Sequence, residues 1–466
     1  MTSTDPVKSI TEKMNAESLS PELINSFLRA TQLARGGDDG TIAESDIVPV
    51  SDIPDGEKLA DYSDAGTAAL KHSVMIKLNG GLGTSMGLAQ AKSLLPVKDG
   101  LCFLEVIAKQ VLHLRQSCQS PLPLLFMNSF RTEQDTLGML ATIPGLEEGQ
   151  GSIPFSFLQN KVPKLKANDF YPVTHPQDPS LEWCPPGHGD IYIALKQSNI
   201  LSTLLSAGYR YAFVSNADNL GASLDINLLG YLSATNASFL MEVADRTSAD
   251  KKGGHIAKHG ESKRLLLREV AQTQALDLDS FQNIERHRYF NTNSLWLNLQ
   301  ALETVINNHQ GAIPLPIIVN RKPVDPTDNT STPIVQLESA MGAAIEVFED
   351  SKAVRVARSR FLPVKKTSDL LLLMSDVYQL ANSGVINRND DNKLPEVNLD
   401  DTYFANITDF SNRFSQGVPS LMQCRRLTVT GDVRFGKNVT LVGEVALVAP
   451  QGESLFVEDD AVIGTV

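Results

Sequence analysis

The sequence predicts an α/β protein that ends in a short coiled β domain, and three observations carry that reading. From Ser73 onward, apolar runs that stop at Gly, Asn or Asp alternate with amphipathic helical patterns, the order of a mixed or parallel sheet with crossover helices. Near the C-terminal end this alternation gives way to apolar residues that recur every six positions. The length, 466 residues, exceeds what one core usually supports and suggests about three folding units.

The elements follow in chain order. Residues 1–70 are polar, with a helical stretch at 22–34 and acidic, Gly- and Pro-containing linkers around 36–64, and form an N-terminal accessory segment. Residues 71–384 form the central domain. Its first strand is 74–78, and 103–117 is an amphipathic helix because Leu104, Ile107, Ala108, Val111 and Leu112 share one face. The run 211–214 reads as a buried strand. Residues 385–466 are a linker and the coiled domain. There Leu427, Val433, Val439 and Val445 keep a six-residue period, and Val429, Phe435, Leu441 and Leu447 repeat it two positions later. Gly431, Asp432, Asn438, Gly443 and Glu444 occupy the gaps, so each hexad is one short strand and one corner of a β-helix. A sandwich hairpin also alternates, but it does not hold that phase. Having few coils, this tail is expected to lean on the α/β core and to serve stability more than chemistry.

Composition narrows the function. With 42% apolar and 20% charged residues, and no run near the roughly 18 apolar residues of a membrane span, the chain reads as soluble. Residues 1–18 lack the basic head and apolar core of a secretory signal, so the expected location is cytoplasmic. Cys102, Cys118, Cys184 and Cys424 have neither CxxC nor metal-ligand spacing and are expected to be reduced structural thiols. A net charge of −13 argues against nucleic acid as a partner and requires any phosphate site to be local.

Three segments can carry chemistry. The strand 74–78 runs into Asn79-Gly80-Gly81-Leu82-Gly83-Thr84-Ser85-Met86-Gly87, whose glycines let backbone amides approach phosphate and ribose, with Lys92 just beyond. Met86 stands where a dinucleotide fingerprint needs its third Gly, which disfavours an NAD-binding oxidoreductase, and the Gly-Lys-Ser/Thr ending of a P-loop is absent. A tight strand-to-helix turn is the plainer reading of the same glycines. Next, Pro185-Pro186-Gly187-His188-Gly189-Asp190 precedes an amphipathic stretch, 191–205, for which Asp190 is the expected N-cap. His188 there is either a donor to a phosphate or sugar hydroxyl or a satisfied structural histidine. Finally, 211–214 ends in Ser215-Asn216-Ala217-Asp218-Asn219-Leu220-Gly221. Ligands bind at the carboxyl ends of strands in open α/β sheets, which positions Asp218 as a Mg²⁺ ligand for substrate phosphates, unless it only forms an Asx turn.

Taken together, Leu78 to Gly87, Met127-Asn128-Ser129-Phe130, Gln159 in Phe-Leu-Gln-Asn-Lys-Val-Pro, Pro186 to Asp190, Asn216 to Gly221, Lys252-Gly253-Gly254, Phe290-Asn291-Thr292-Asn293 and Arg358 to Leu370 resemble, in order, the motifs of the eukaryotic-type UDP-glucose pyrophosphorylases. The resemblance spans roughly residues 73 to 463. It implies a Rossmann-like nucleotidyltransferase core with a mixed sheet and a short left-handed parallel β-helix. It also implies conversion of UTP and glucose 1-phosphate to UDP-glucose and pyrophosphate, reversibly and with Mg²⁺. By position, Leu78, Asn79, Gly80, Gly81 and Gly187 resemble the uridine and ribose contacts, and Gln159 the residue that hydrogen-bonds uracil. Lys92 and Lys365 resemble the phosphate-binding, catalytic lysines, Asp218 the metal ligand in Asn216-Ala217-Asp218, and His188, Asn216 and Asn293 residues at the sugar and its phosphate. Two departures stand out: Gln90-Ala91 replaces the family's usual Gly-Pro before the loop lysine, and the chain stops at Val466 without the last strand many members use to associate. A monomer is therefore expected, with any oligomer forming through the C-terminal domain. A broader UDP-sugar or UDP-N-acetylhexosamine pyrophosphorylase is the nearest alternative. A non-catalytic UDP-sugar sensor is disfavoured because Lys92, Asp218 and Lys365 are all present.

Overall fold

A ten-stranded mixed sheet organises the chain in the computed structural model, which describes residues 5–37, 40–325, 328, 330–389 and 393–465. Its strands are β1 (Ile47–Pro49), β2 (Ser73–Asn79), β3 (Leu124–Asn128), β4 (Ser156–Leu158), β5 (Tyr211–Asn216), β6 (Phe239–Asp245), β7 (His255–His259), β8 (Leu265–Arg268), β9 (Tyr289–Asn298) and β10 (Ser351–Arg355). The main path runs β1-β7-β9-β5-β2-β3-β4, with β8 beside β7, and β6 bridging β9 to β10. Strands β5, β2, β3 and β4 are parallel neighbours, whereas β9 runs antiparallel to both β5 and β6. The parallel block matters for function, because it brings four carboxyl ends to one rim.

Central strands of a parallel block are covered on both faces and so read as unbroken apolar runs. Strand β2 is buried at every residue, including Lys77. On one face it packs Met75 with Phe103, Leu104, Ile107 and Val111 of the helix Phe103–Cys118, and on the other Val74 and Ile76 with Ile191, Leu195 and Leu204. The stretch expected as one helix over 191–205 is two, Ile191–Gln197 and Ile200–Ser206. The break falls at Asn199, whose φ of 58° is left-handed and stops the first helix.

The N-terminal residues attach to this core at three places. Strand β1 pairs with β7. The helices Pro6–Ala16 and Pro21–Arg35, capped by Asp5 and Ser20, bury Ile10, Met14, Leu23 and Phe27 against Val162, Leu165, Val335 and Leu337. The helix Ser63–Leu70 packs on the helix Ile226–Ala234, where Gly230 lets the Tyr62 carbonyl approach closely.

The tail is built of parallel pairs throughout. Glu396–Leu399, Ser420–Thr430, Thr440–Val448 and Val462–Gly464 form one sheet, and Asp432–Phe435 pairs with Ser454–Val457. Both sets of hexad residues point inward: Leu427, Val429, Val433, Phe435, Val439, Leu441, Val445 and Leu447 are all buried. They join the same apolar cluster as the Phe103–Cys118 helix, with Phe435 stacked on Phe414 at 4.8 Å between ring centroids.

Candidate active site

The rim of the parallel block holds a cavity of about 340 Å³. Leu78, Asn79, Gly80, Gly81, Lys92, Gln159, Gly187, His188, Asn216, Ala217 and Asp218 all line it, together with Ser93, Met127 and Pro185. The sheet register explains the gathering. Asn216 is the direct partner of Leu78 in the parallel β5–β2 pair, and the Ala217 N–H donates to the Leu78 carbonyl at 3.0 Å. Gln159 follows β4, and its N–H donates to the Asn128 carbonyl at the end of β3 at 2.7 Å.

A buried polar lattice stiffens the strand ends. The Asn79 side-chain amide donates to Asn128 Oδ1 at 2.9 Å and Thr136 Oγ1 at 2.8 Å, and Thr132 Oγ1 donates to the Asn79 carbonyl at 2.7 Å. The polar end of Asn79 is therefore spent on the scaffold. Beneath the floor, the fully buried Lys77 ammonium donates to Ser215 Oγ at 2.7 Å and the Ala222 carbonyl at 2.6 Å, and burial pushes its pKa down to about 7. It ties β2 to the chain on either side of Asp218.

The far wall is the 185–190 segment. Gly187 has φ of 82°, and a Cβ there would lie 2.4 Å from the Ser339 carbonyl oxygen, so only glycine fits. Its carbonyl accepts from Gln159 Nε2 at 3.0 Å. Asp190 corrects the expected N-cap: its side chain makes no capping bond to the following helix. Instead its two oxygens accept from Asn160 N and Nδ2 at 2.7 and 2.9 Å, locking the residue beside Gln159. Burial lifts its pKa to about 6 despite those bonds.

His188 is held by the Met341 N–H, which donates to Nδ1 at 2.9 Å. That bond leaves the ring proton on Nε2, and burial lowers the pKa to about 4, so the imidazole is a neutral donor at physiological pH. If Nε2–H donates to a substrate phosphate, as the motif resemblance implies, replacing His188 with Leu should cost about 1.5–3 kcal/mol in kcat/KM, as for a lost hydrogen bond to a charged group. The substitution should not change the shape of the pH profile, because His188 does not titrate near the ordinary histidine value of 6.5, and any limb set by Asp190 or Lys77 is common to parent and variant. An acid limb centred there in the parent and absent from the variant would contradict the assignment.

Lys92 reaches across the cavity despite Gln90-Ala91 before it, its Nζ meeting Asp218 Oδ2 at 2.7 Å with the lysine side chain 14% and the carboxylate 30% exposed. A short 3₁₀ turn, Lys92–Leu94, orients the lysine, whose N–H also donates to the Gly81 carbonyl at 3.2 Å. Asn293 and Lys365 do not line this cavity. Asn293 is thrown out of β9 by a bulge opposite Glu242 and Val243, takes φ of 57°, and exchanges hydrogen bonds with Asn291, both at 2.9 Å. The Lys365 and Lys366 N–H groups cap onto Asp369 at 2.7 and 2.8 Å, and Val364 N–H donates to the Asp218 carbonyl at 3.2 Å, which brings that segment to the cavity's edge. Sequence reasoning passed over Glu269. Burial raises its carboxyl pKa while the Lys365 ammonium opposes the rise, and a Cβ on Gly254 would sit 2.5 Å from its oxygen. Its local signature, Glu269 to Gln272 as a capping box on a short 3₁₀ turn, marks a helix start and says nothing of Lys365.

A family model described as UTP–glucose-1-phosphate uridylyltransferase matches residues 25–442. The chain belongs to the UTP–glucose-1-phosphate uridylyltransferase family. Among its relatives, the enzyme of that name from Solanum tuberosum is 40% identical over 415 residues, 87% of this chain and 84% of the relative. A probable UTP–glucose-1-phosphate uridylyltransferase from Schizosaccharomyces pombe is 38% identical over 420 residues, covering 88% and 81%. Of solved structures, a mutant UDP-glucose pyrophosphorylase from Leishmania major in complex with UDP-glucose is 38% identical with a TM-score of 0.90, covering 99% of this chain and 98% of that one. A Trypanosoma brucei structure described as UDP-glucose phosphorylase is 43% identical with a TM-score of 0.89, covering 98% of each. The uridylyltransferase family thus accounts for the mixed α/β sheet as well as for the motif order.

Proposed function

We propose that the cavity holds UTP and glucose 1-phosphate and that the chain joins them as UDP-glucose, releasing pyrophosphate reversibly. The observation that carries this is the pair formed by Lys92, on the turn that follows the glycine loop, and Asp218, just past the end of β5, one cation and one carboxylate facing the same glycine-lined cavity. Gln159, steadied by Gly187 and by Asp190 through Asn160, is suited to reading the uracil edge, and the amides of Gly80 and Gly81 can approach ribose and phosphate. His188 Nε2–H and Asn216 face the sugar phosphate, with Asn293 on the sugar side. A phosphate monoester with a second pKa of about 6 is mostly dianionic at neutral pH, so glucose 1-phosphate brings its own nucleophile and needs no protein base. Its oxygen attacks the α-phosphorus of UTP in line, and the P–O bond to pyrophosphate breaks. The residues align two polyanions and spread positive charge over the reacting phosphorus: Lys365 towards the α-phosphate, Lys92 towards the leaving pyrophosphate.

Mg²⁺ fits this donor set. Among the described residues no three His, Cys, Asp or Glu side chains gather as a cage, and Mg²⁺ commonly takes one or two carboxylates plus substrate oxygens and water. Asp218 is the residue to hold it, and a bound Mg²⁺ would add positive charge against the phosphate oxygens. Lys92 pairs with Asp218, so with Mg²⁺ held by Asp218 the lysine ammonium would be free to serve the phosphates.

The finer architecture is proposed in the same terms: an accessory segment over 1–70, a Rossmann-like nucleotidyltransferase domain over 71–384, and a linker with a left-handed β-helix over 385–466. Support for the last comes from the parallel pairing of Leu427 with Val445, a step of three hexads. No helix among the described residues is long and apolar enough to cross a membrane, and a cytoplasmic monomer is proposed. Any association would use the outer edge of Val462–Gly464, the end strand of its sheet. The test is direct. UTP, glucose 1-phosphate and Mg²⁺ should yield UDP-glucose and pyrophosphate, and excess chelator should stop it. No pyrophosphate release, or equal rates in chelator, would refute the reading.

A further inference from the structure

Asn219 follows Asp218 but does not line the cavity; it is 2% exposed, and both ends of its side chain are spent on the chain that leads to Lys365. Its Nδ2 donates to the Arg360 carbonyl at 3.1 Å, and its Oδ1 accepts from the Leu362 N–H at 2.8 Å. Those two groups flank Phe361, so one side-chain amide stands in for a peptide of a missing neighbouring strand. Asn219 also forms an isolated antiparallel bridge with Pro363, and the next residue, Val364, donates its N–H to the Asp218 carbonyl at 3.2 Å. Gly221 completes the seat, since a Cβ there would lie 2.4 Å from the Ser359 carbonyl oxygen. At the other end, the Arg360 guanidinium donates to Glu242 through two bonds of 2.7 Å and to the Ser223 carbonyl at 2.8 Å. Residues 359–364 are therefore pinned along 218–223, and Lys365 comes next.

We propose that Asn219 is a positioning residue that holds Lys365 in register with Asp218, so that both phosphate-handling groups are delivered by one clamped unit. The proposal rests on the roles given to Lys365 and Asp218 above. A slip of one residue would displace Lys365 by about 3.3 Å, enough to remove its contact with a reacting phosphate. The residue type is decided by chemistry: a neutral side chain of this length that offers a donor and an acceptor in one plane is asparagine. Aspartate has nearly the same shape but would point a carboxylate oxygen at the Arg360 carbonyl, in a site closed to water, with a second charge beside Asp218.

The test uses the full chain carrying Asn219→Asp or Asn219→Ser, each alone and combined with Lys365→Ala. Because the Arg360 bonds to Glu242 and Ser223 remain, the Asp variant should shift Lys365 by about 1 Å rather than by a full residue and lose about 10- to 100-fold in kcat, with the KM for UTP and the calorimetric affinity for UDP-glucose little changed. In the Lys365→Ala background the same substitution should cost almost nothing further, because the group it positions is already gone. An equal kcat loss in both backgrounds would make Asn219 merely structural and overturn the proposal. So would parental kcat in the Ser variant, which also serves if the Asp variant does not fold. Parental kcat in Lys365→Ala alone would remove the role of Lys365 and this proposal with it, whereas an impaired Lys365→Ala beside unimpaired Asn219 variants would sink the clamp alone.

Discussion

Asp218→Ala should lower kcat by about 4 kcal/mol in barrier height, roughly a thousandfold, in a protein that remains folded. The size follows from what the carboxylate is proposed to do, which is to hold the metal charge that offsets the negative charge gathered at the reacting phosphates. The integrity of the variant follows from geometry. The bonds that seat the neighbouring segment use the Asp218 carbonyl and the Asn219 side chain, and alanine keeps the first and does not touch the second. Lys92 loses its 2.7 Å partner, but at 14% exposure its ammonium still reaches water or phosphate. Measured as a function of Mg²⁺ concentration, the variant should need more metal and never recover the parental plateau. Asp218→Asn should fall between the two, because an amide oxygen is a weaker ligand. Parental kcat at saturating Mg²⁺ in Asp218→Ala would exclude the metal role.

The second large effect concerns the tail. A chain ending at Arg425 should fail to fold stably, because it would lose the apolar columns that close the C-terminal parallel strands onto the α/β core. Leu427, Val429, Val433, Phe435, Val439 and Leu441 are each buried, and a fully buried side chain of this kind is worth about 1.5–3 kcal/mol. Much of that is mutual. Even so, Phe414 would lose its 4.8 Å stack on Phe435, and Arg413 its 2.9 Å contact with Asp432, so retained residues are stripped as well. The loss is comparable with the whole stability of a typical domain, about 5–15 kcal/mol. In the intact chain, Phe435→Ala offers a milder version: about 3–5 kcal/mol of stability lost, read as a lower Tm, with kcat kept because no proposed substrate contact lies in the tail. A soluble truncation with the parental Tm would show that the two parts are independent. Loss of kcat in a folded Phe435→Ala protein would show that the tail shapes the site.

Where a feature was legible in the sequence, it was encoded by neighbours along the chain. The strands read as 74–78 and 211–214 fall within two residues of their observed ends, Asn79 and Asn216, because a buried strand is an apolar run and its exit is marked by Gly, Asn and Asp. The buried hexad columns could be read because Leu427 and Val433 repeat in a fixed phase, but the expected gap at Gly443 and Glu444 is absent: both lie inside the strand Thr440–Val448. The bounds of the helix Phe103–Cys118 differ from the periodic reading by one residue. Motif order singled out the residues that line the cavity at the strand ends, Asn293 and Lys365 excepted.

What could not be read were the partners, because a side chain's periodicity says which face it occupies and nothing about what another strand brings to that face. Asp190 has every local mark of an N-cap, yet a loop 30 residues earlier in the chain presents Asn160 with two donors, and in a buried site two bonds outcompete one cap. Asn219 carries no signal of its own until the segment 141–143 residues further on docks against it. The break at Asn199 and the bulge at Asn293 likewise depend on packing and register that no local pattern carries. By itself, then, the sequence determined the elements, the glycine-lined loop and the residue types at the rim, all of which are set by short-range propensity and turn chemistry. Only the tertiary structure decided that Lys92 meets Asp218 across 126 residues, and that Asn219, not the cavity wall, seats the approach to Lys365, because these contacts exist only after distant strand ends are brought to one edge of the sheet.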